Sequence, residues 1–108
     1  MNLRPVEFHI LLALAADERH GYALLQEVAS FTDGQLQLEP GTLYRALHRM
    51  LKDGWVAESA RRPAADQDDE RRRYYRLTPL GRRIASAEAE RLSRLVTIAR
   101  AHRLLSRA

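Results

Sequence analysis

Apolar positions cluster early in the chain. Val6, Phe8, Ile10, Leu11, Leu12 and Leu14 follow Pro5 and predict a mostly buried helix of about ten residues, with the proline in its first turn. Asp17-Glu18-Arg19-His20-Gly21 breaks that pattern. A second helix is expected from Tyr22 to about Phe31, with Leu24, Leu25, Val28 and Phe31 on one stripe, and the turn residues Thr32-Asp33-Gly34 stop it. Tyr22, Phe31 and Trp55 are read as core residues. Leu36-Gln37-Leu38-Glu39 alternates and predicts one small strand.

A third helix opens at Pro40-Gly41-Thr42, with Thr42 expected as the N-cap. At about 100° per residue, Leu43, Ala46, Leu47, Met50 and Leu51 fill one arc, and Tyr44, Arg45, His48, Arg49 and Lys52 fill the opposite one. Asp53-Gly54 ends it, glycine being suited to a left-handed C-terminal position. The period then changes to that of strands, over Trp55–Ser59 and again over residues 72–77, separated by the proline- and charge-rich loop 61–71. Strand alternation sends one of Tyr74 and Tyr75 inward and the other outward. Thr78-Pro79 opens a last helix to about Leu105, roughly 40 Å long at about 1.5 Å per residue.

The fold class expected is mainly α with a small β-hairpin: three helices, a two-stranded wing and one long C-terminal helix. Residues 1–78 would form a winged helix-turn-helix unit and residues 79–108 a dimerisation helix. In a helix-turn-helix the third helix here would enter the major groove, whose width of about 12 Å admits one helix carrying donors for base edges and phosphates.

Charge supports that reading. The formal net charge is +4, and lysine is found only at Lys52, all other basic side chains being arginines. Residues 1–40 carry two basic and six acidic residues (net −4), residues 41–108 sixteen and eight (net +8). A positive surface built from the second half is aimed at a polyanion; arginine enrichment as a compositional habit is the plainer alternative. The candidate DNA-contacting residues are Thr42, Tyr44, Arg45, His48, Arg49 and Lys52 on the third helix and Arg72 and Arg73 in the wing. Arg61, Arg62 and Arg71 could equally pair with the acidic tip formed by Asp66, Asp68, Asp69 and Glu70.

The absence of cysteine excludes disulfides and thiol chemistry. His9, His20, His48 and His102 lack metal-ligand spacing, and no nucleophile–base pair, glycine-rich phosphate loop or carboxylate dyad stands out. Neither a metal, a cofactor nor an enzymatic activity is expected. No apolar run approaches the roughly 18 residues of a membrane span, and the first residues lack a signal-peptide pattern, so the expectation is a cytoplasmic protein without a membrane partner.

The stretch PGTLYRALHRMLKDGWV, followed by RRRYYRLTPLG after an acidic loop, resembles the PadR family of transcriptional regulators. ILLALAADERHGYALLQEV resembles that family's first two helices, with His20, Gly21 and Tyr22 at its His-Gly-Tyr. The resemblance covers roughly residues 8–83 and implies a winged-helix homodimer that represses transcription by binding double-stranded DNA at an inverted-repeat operator. It implies that Gly41, Thr42, Leu43 and Tyr44 begin the recognition helix. Many members have proline after that tyrosine; Arg45 stands there in this chain and adds a guanidinium to the groove face.

On the last helix, Leu80, Ile84, Ala87, Leu92, Leu95, Val96, Ile98, Ala99, His102 and Leu105 share one broad side. Glu88 and Arg91 interrupt it and are spaced to pair. The simplest partner for so long a stripe is the same helix of a second subunit, with the first helix beside it; a different protein or a ligand groove are the alternatives. Expected interface residues are Ile84, Leu92, Leu95, Val96, Ile98, Ala99, His102 and Leu105. A small-molecule effector pocket would have to lie at that interface, and the sequence has no signature of which molecule it would take. A winged helix reused as a protein-interaction module is the main alternative function.

Overall fold

The computed structural model describes residues 3–35, 37–59 and 73–106. Helix α1 spans Pro5–Ala16 and helix α2 Gly21–Phe31, joined by the two-residue strand β1, Arg19–His20. Helix α3 spans Pro40–Lys52; strands β2 (Val56–Glu58) and β3 (Tyr74–Leu77) follow, and helix α4 covers Pro79–Ala101. The winged helix-turn-helix expectation is met, with one strand more than the hairpin. The sheet order is β1-β3-β2, antiparallel throughout, with Arg19 opposite Tyr75, Tyr75 also opposite Glu58, and Val56 opposite Leu77. The break after α1 is therefore a short edge strand docked on the wing.

Two boundaries differ from expectation for local reasons. Residues 37–39 do not form a strand, and Leu36 lies outside the described residues. Helix α3 begins at Pro40, with Glu39 rather than Thr42 as N-cap: Pro40 suits the first turn, and the first helical bond runs from Leu43 N to Glu39 O at 3.1 Å. Thr42 thus sits inside the first turn. At the other end Gly54 adopts φ +81°, and Trp55 N donates to Met50 O at 2.9 Å, closing the helix in the manner expected of a C-terminal glycine.

Helix α4 stops at Ala101, short of Leu105. His102 is its C-cap, Arg103 takes the left-handed φ of +63°, and Leu104 N donates to Ala99 O at 2.9 Å. An arginine performs the turn usually left to glycine.

The core gathers Ile10, Leu11 and Leu14 of α1, Leu24 of α2, Leu43, Leu47 and Met50 of α3, Trp55, Val56 and Tyr75 of the sheet region, and Ile84 and Ala85 of α4. The inward arc expected of α3 is buried apart from half-buried Leu51. Tyr75 points into the core, while Tyr74 is half-buried and meets the His20 ring edge-to-face at 5.3 Å. Tyr22 and Phe31 are not core residues: they are 61% and 44% exposed. Tyr22 lies about 160° around α2 from Leu24. Phe31 shares the inner stripe but stands in the last turn of its helix.

Thr78 ties α4 to the sheet. Its Oγ1 accepts from Gly81 N at 3.0 Å and lies 2.6 and 2.9 Å from the carbonyl oxygens of Gly54 and Trp55, to which it donates. Replacing Thr78 with valine keeps the shape and removes all of these bonds; loss of an N-cap costs about 1 kcal/mol, and unmatched carbonyls add to it. Chemical denaturation is expected to show Thr78→Val destabilised by about 1–2 kcal/mol, and an unchanged midpoint would refute the role of this hydroxyl.

No helix among the described residues is long and apolar enough to cross a membrane.

Candidate nucleic-acid interface

The outer side of α3 is where chemistry is displayed. Arg45, His48 and Lys52 are all exposed there. Their spacing of three and then four residues aligns them in one row, running about 10 Å along the helix. Arg45 Nη2 donates to Thr42 Oγ1 at 3.3 Å, which lays the guanidinium back over the first turn. Arg49 and Lys52 occupy the last turn, where cations meet the negative end of the helix dipole.

The other two residues of the expected arc are directed differently. Tyr44 is half-buried and leans on the core, with its hydroxyl over the start of α2. A Cβ on Gly21 would lie 2.3 Å from Tyr44 Oη, so the glycine makes room for the tyrosine. Arg49 turns toward α1: its Nη2 is 2.6 Å from Glu7 Oε2, and its side chain stays 40% exposed. Of the six groove candidates, the structure thus places Arg45, His48 and Lys52 fully outward, Thr42 and Arg49 partly so, and Tyr44 mainly against its own protein.

The His-Gly-Tyr segment divides its labour. His20 is the N-cap of α2, its Nδ1 accepting from Ala23 N at 3.1 Å. Gly21 seats Tyr44, and Tyr22 projects to solvent from the first turn. Since the first helix of a helix-turn-helix crosses the DNA backbone, this exposed phenol is a functional candidate missed in the sequence, although the helical wheel already sets it opposite Leu24.

In the wing, Arg73 is exposed and lies 3.9 Å from Glu58 across the hairpin. Arg61, Arg62, Arg71 and Arg72, and the acidic tip, lie outside the described residues. Among the described residues no cluster of histidine, cysteine, aspartate or glutamate could hold a metal ion.

The expected interface stripe on α4 splits in two. Ile84 is buried in the chain's own core together with Gly81 and Ala85. Beyond them Leu92 and Ala99 are half-buried, and Leu95 and Ile98 are 49% and 52% exposed, alongside exposed Val96. His102 and Leu105 are exposed but lie past the helix end. Glu88 and Arg91 pair as expected, through two bonds of 2.7 Å. The hydrogen bonds from Arg91 hold the Glu88 carboxyl below the usual carboxylate range, so the pair is formed at neutral pH and is lost only as pH falls through that lowered value.

Comparison with known proteins places this geometry. A family model described as the transcriptional regulator PadR-like family matches residues 10–87. A transcriptional regulator of Mycobacterium tuberculosis is 37% identical over 90 residues, which covers 83% of this chain and 78% of that protein. Among solved structures, a transcriptional regulator from Clostridium thermocellum superposes with a TM-score of 0.70 at 25% identity, covering 89% of this chain and 87% of the other. Bacillus subtilis PadR in complex with operator DNA superposes with a TM-score of 0.68 at 16% identity, over 80% of this chain and 47% of that one, a likeness of fold. These relatives are named as regulators, not enzymes. The matched span runs from α1 through α3 and the sheet into α4, and on that ground the chain belongs to the PadR-like family of transcriptional regulators.

Proposed function

We propose that this chain is a sequence-specific DNA-binding repressor that acts as a homodimer on an inverted-repeat operator. The observation that carries the reading is the exposed row Arg45–His48–Lys52 on the second helix of a helix-turn-helix, flanked by a hairpin that carries Arg73. These side chains supply donors for base edges and phosphates, and Arg49, Thr42 and Tyr22 border them. Arg72 and Arg73 are assigned to phosphate contacts, which set register without reading sequence.

In this reading residues 1–78 are the DNA-binding unit and residues 79–108 the dimerisation helix, whose first turns also complete the core. Past Ala85, α4 has no further residue buried against the rest of the described chain. A lone helical segment of that length is marginal in water. The exposed Leu95, Val96 and Ile98 supply the seam by which a second copy stabilises it. An effector would bind where α4 meets its copy; a groove of about 480 Å³ lined by Leu3, Leu80, Ile84 and Ala87 lies on that helix. Repression, rather than activation, is what the family resemblance implies, and a promoter–reporter assay gives the sign.

The test is selection of bound fragments from the source genome, followed by anisotropy titrations with Arg45→Ala and Lys52→Ala. Each is expected to weaken binding by about 10- to 100-fold, with the lysine variant lowering the salt slope by about one. Unchanged affinity in both variants would show that α3 does not read DNA. Capture of a protein partner by a chain that ignores all DNA at low salt would favour the interaction-module alternative.

A further inference from the structure

Glu7 is the one carboxylate buried among the described residues, 2% exposed in the first turn of α1. Both of its oxygens are engaged. Oε1 accepts from Arg4 N at 2.8 Å, and Oε2 meets Arg49 Nη2 at 2.6 Å. The first bond closes the start of α1 on itself; the second crosses to the outer side of α3. A carboxylate so deeply placed is tolerable only when paired, so the guanidinium of Arg49 is fixed by a charge that cannot swing away.

Arg49 stands one helical turn from both Arg45 and Lys52, and its side chain keeps 40% of its surface exposed. It borders an open groove of about 550 Å³ between the start of α1 and α3, lined also by Arg4, Thr42 and Arg45. Its Nε is buried and has no hydrogen-bond partner among the described residues, so Glu7 satisfies the guanidinium only in part.

We infer that Glu7 is a specificity-determining positioning residue: it holds Arg49 in one orientation on the reading face and cancels its charge. The inference rests on the proposal that α3 reads DNA. Non-specific binding is carried by uncompensated cations meeting phosphates wherever they lie. An arginine neutralised by a neighbouring carboxylate adds little to that term. Held rigid, it loses less freedom when a matching acceptor arrives, and its forked donors favour one geometry over others. Discrimination is the difference between the two affinities, and Glu7 acts on both in opposite directions.

Glu7→Gln keeps the volume and removes the charge. The full chain is titrated by anisotropy against an operator fragment selected from the source genome and a scrambled duplex of the same length and composition, over a series of salt concentrations. Glu7→Gln is expected to bind the scrambled duplex about 3- to 10-fold tighter, with a salt slope steeper by about one, and the operator about 10-fold more weakly. In the double variant Glu7→Gln/Arg49→Met the scrambled-duplex affinity and slope return to those of the parent chain while operator affinity stays low. Arg49→Lys, which keeps the charge pair and loses the fork, is expected to lower operator affinity about 10-fold with the scrambled affinity within about 2-fold, and it decides the matter should Glu7→Gln not fold. An unchanged operator-to-scrambled ratio in Glu7→Gln and Arg49→Lys overturns the inference, including the case where both affinities fall together, as a purely structural role would make them. A parent chain with no preference for any genomic fragment overturns the DNA-reading proposal itself, and that result is visible before any variant is made.

Discussion

Gly81→Ala is expected to lower the melting temperature by about 10–25 °C, from a loss of about 3 kcal/mol at about 4–8 °C per kcal/mol in a domain of this size. The cause is a contact with no soft partner. A Cβ on Gly81 would lie 2.0 Å from the carbonyl oxygen of Trp55 and 2.9 Å from Leu77 Cδ1. A side chain could rotate away from such a clash, but the Trp55 carbonyl accepts bonds from Thr78 N and Oγ1 and cannot move without breaking them. The new methyl group therefore pushes α4 off the sheet and opens the core around Ile84 and Ala85. Thermal melts of both forms at equal protein concentration measure the effect, since the proposed dimerisation would make melting concentration-dependent. A shift under about 2 °C would mean that α4 does not approach Trp55 as described.

The second large effect concerns assembly. In the proposed two-fold dimer each substitution counts twice, so Ile98→Glu would remove two apolar side chains from the seam and face two carboxylates toward it. At about 1.5–3 kcal/mol for each buried side chain, dimer affinity should fall at least about 100-fold, and Leu95→Glu should act alike. Sedimentation velocity at micromolar concentration is expected to find a monomer. Operator affinity falls with it, because the second half-site contact is no longer intramolecular, while the contacts within one half-site persist. A variant that still sediments as a dimer moves the interface away from α4.

Much of this architecture is legible in the sequence because helical period reports which side of a helix is wet. The inward arc of α3 and the outward Arg45, His48 and Lys52 separate on the wheel as they do in space, and Thr78-Pro79 marks the start of α4. Period does not report what stands opposite. Arg49 shares the polar arc, yet its partner Glu7 lies on another helix far back in the sequence, in a first turn where acids are ordinary. Ile84 and Ile98 share one stripe, but only Ile84 stands close enough to the sheet to be covered by its own chain. Phe31 carries the right phase at the end of its helix, where the core has run out. Strand β1 is two residues long, too short for any alternation to be read, and its existence is decided by the free edge of β3. The end of α4 at Ala101 has no glycine to mark it, because Arg103 takes up the left-handed turn itself.

That two-residue strand also bears on the order in which the molecule assembles. Its partner is Tyr75, a core residue that also pairs with Glu58. The three helices can meet through contacts between neighbours in the chain, whereas β1 must wait for a segment synthesised more than fifty residues later. Loop closure on that scale is slow, so the sheet edge beside His20 closes late in folding. During synthesis, a ribosome that has not yet released Tyr75 holds a helix-turn-helix whose core lacks its large aromatic wedge, and α3 acquires its final footing only when the wing has been made.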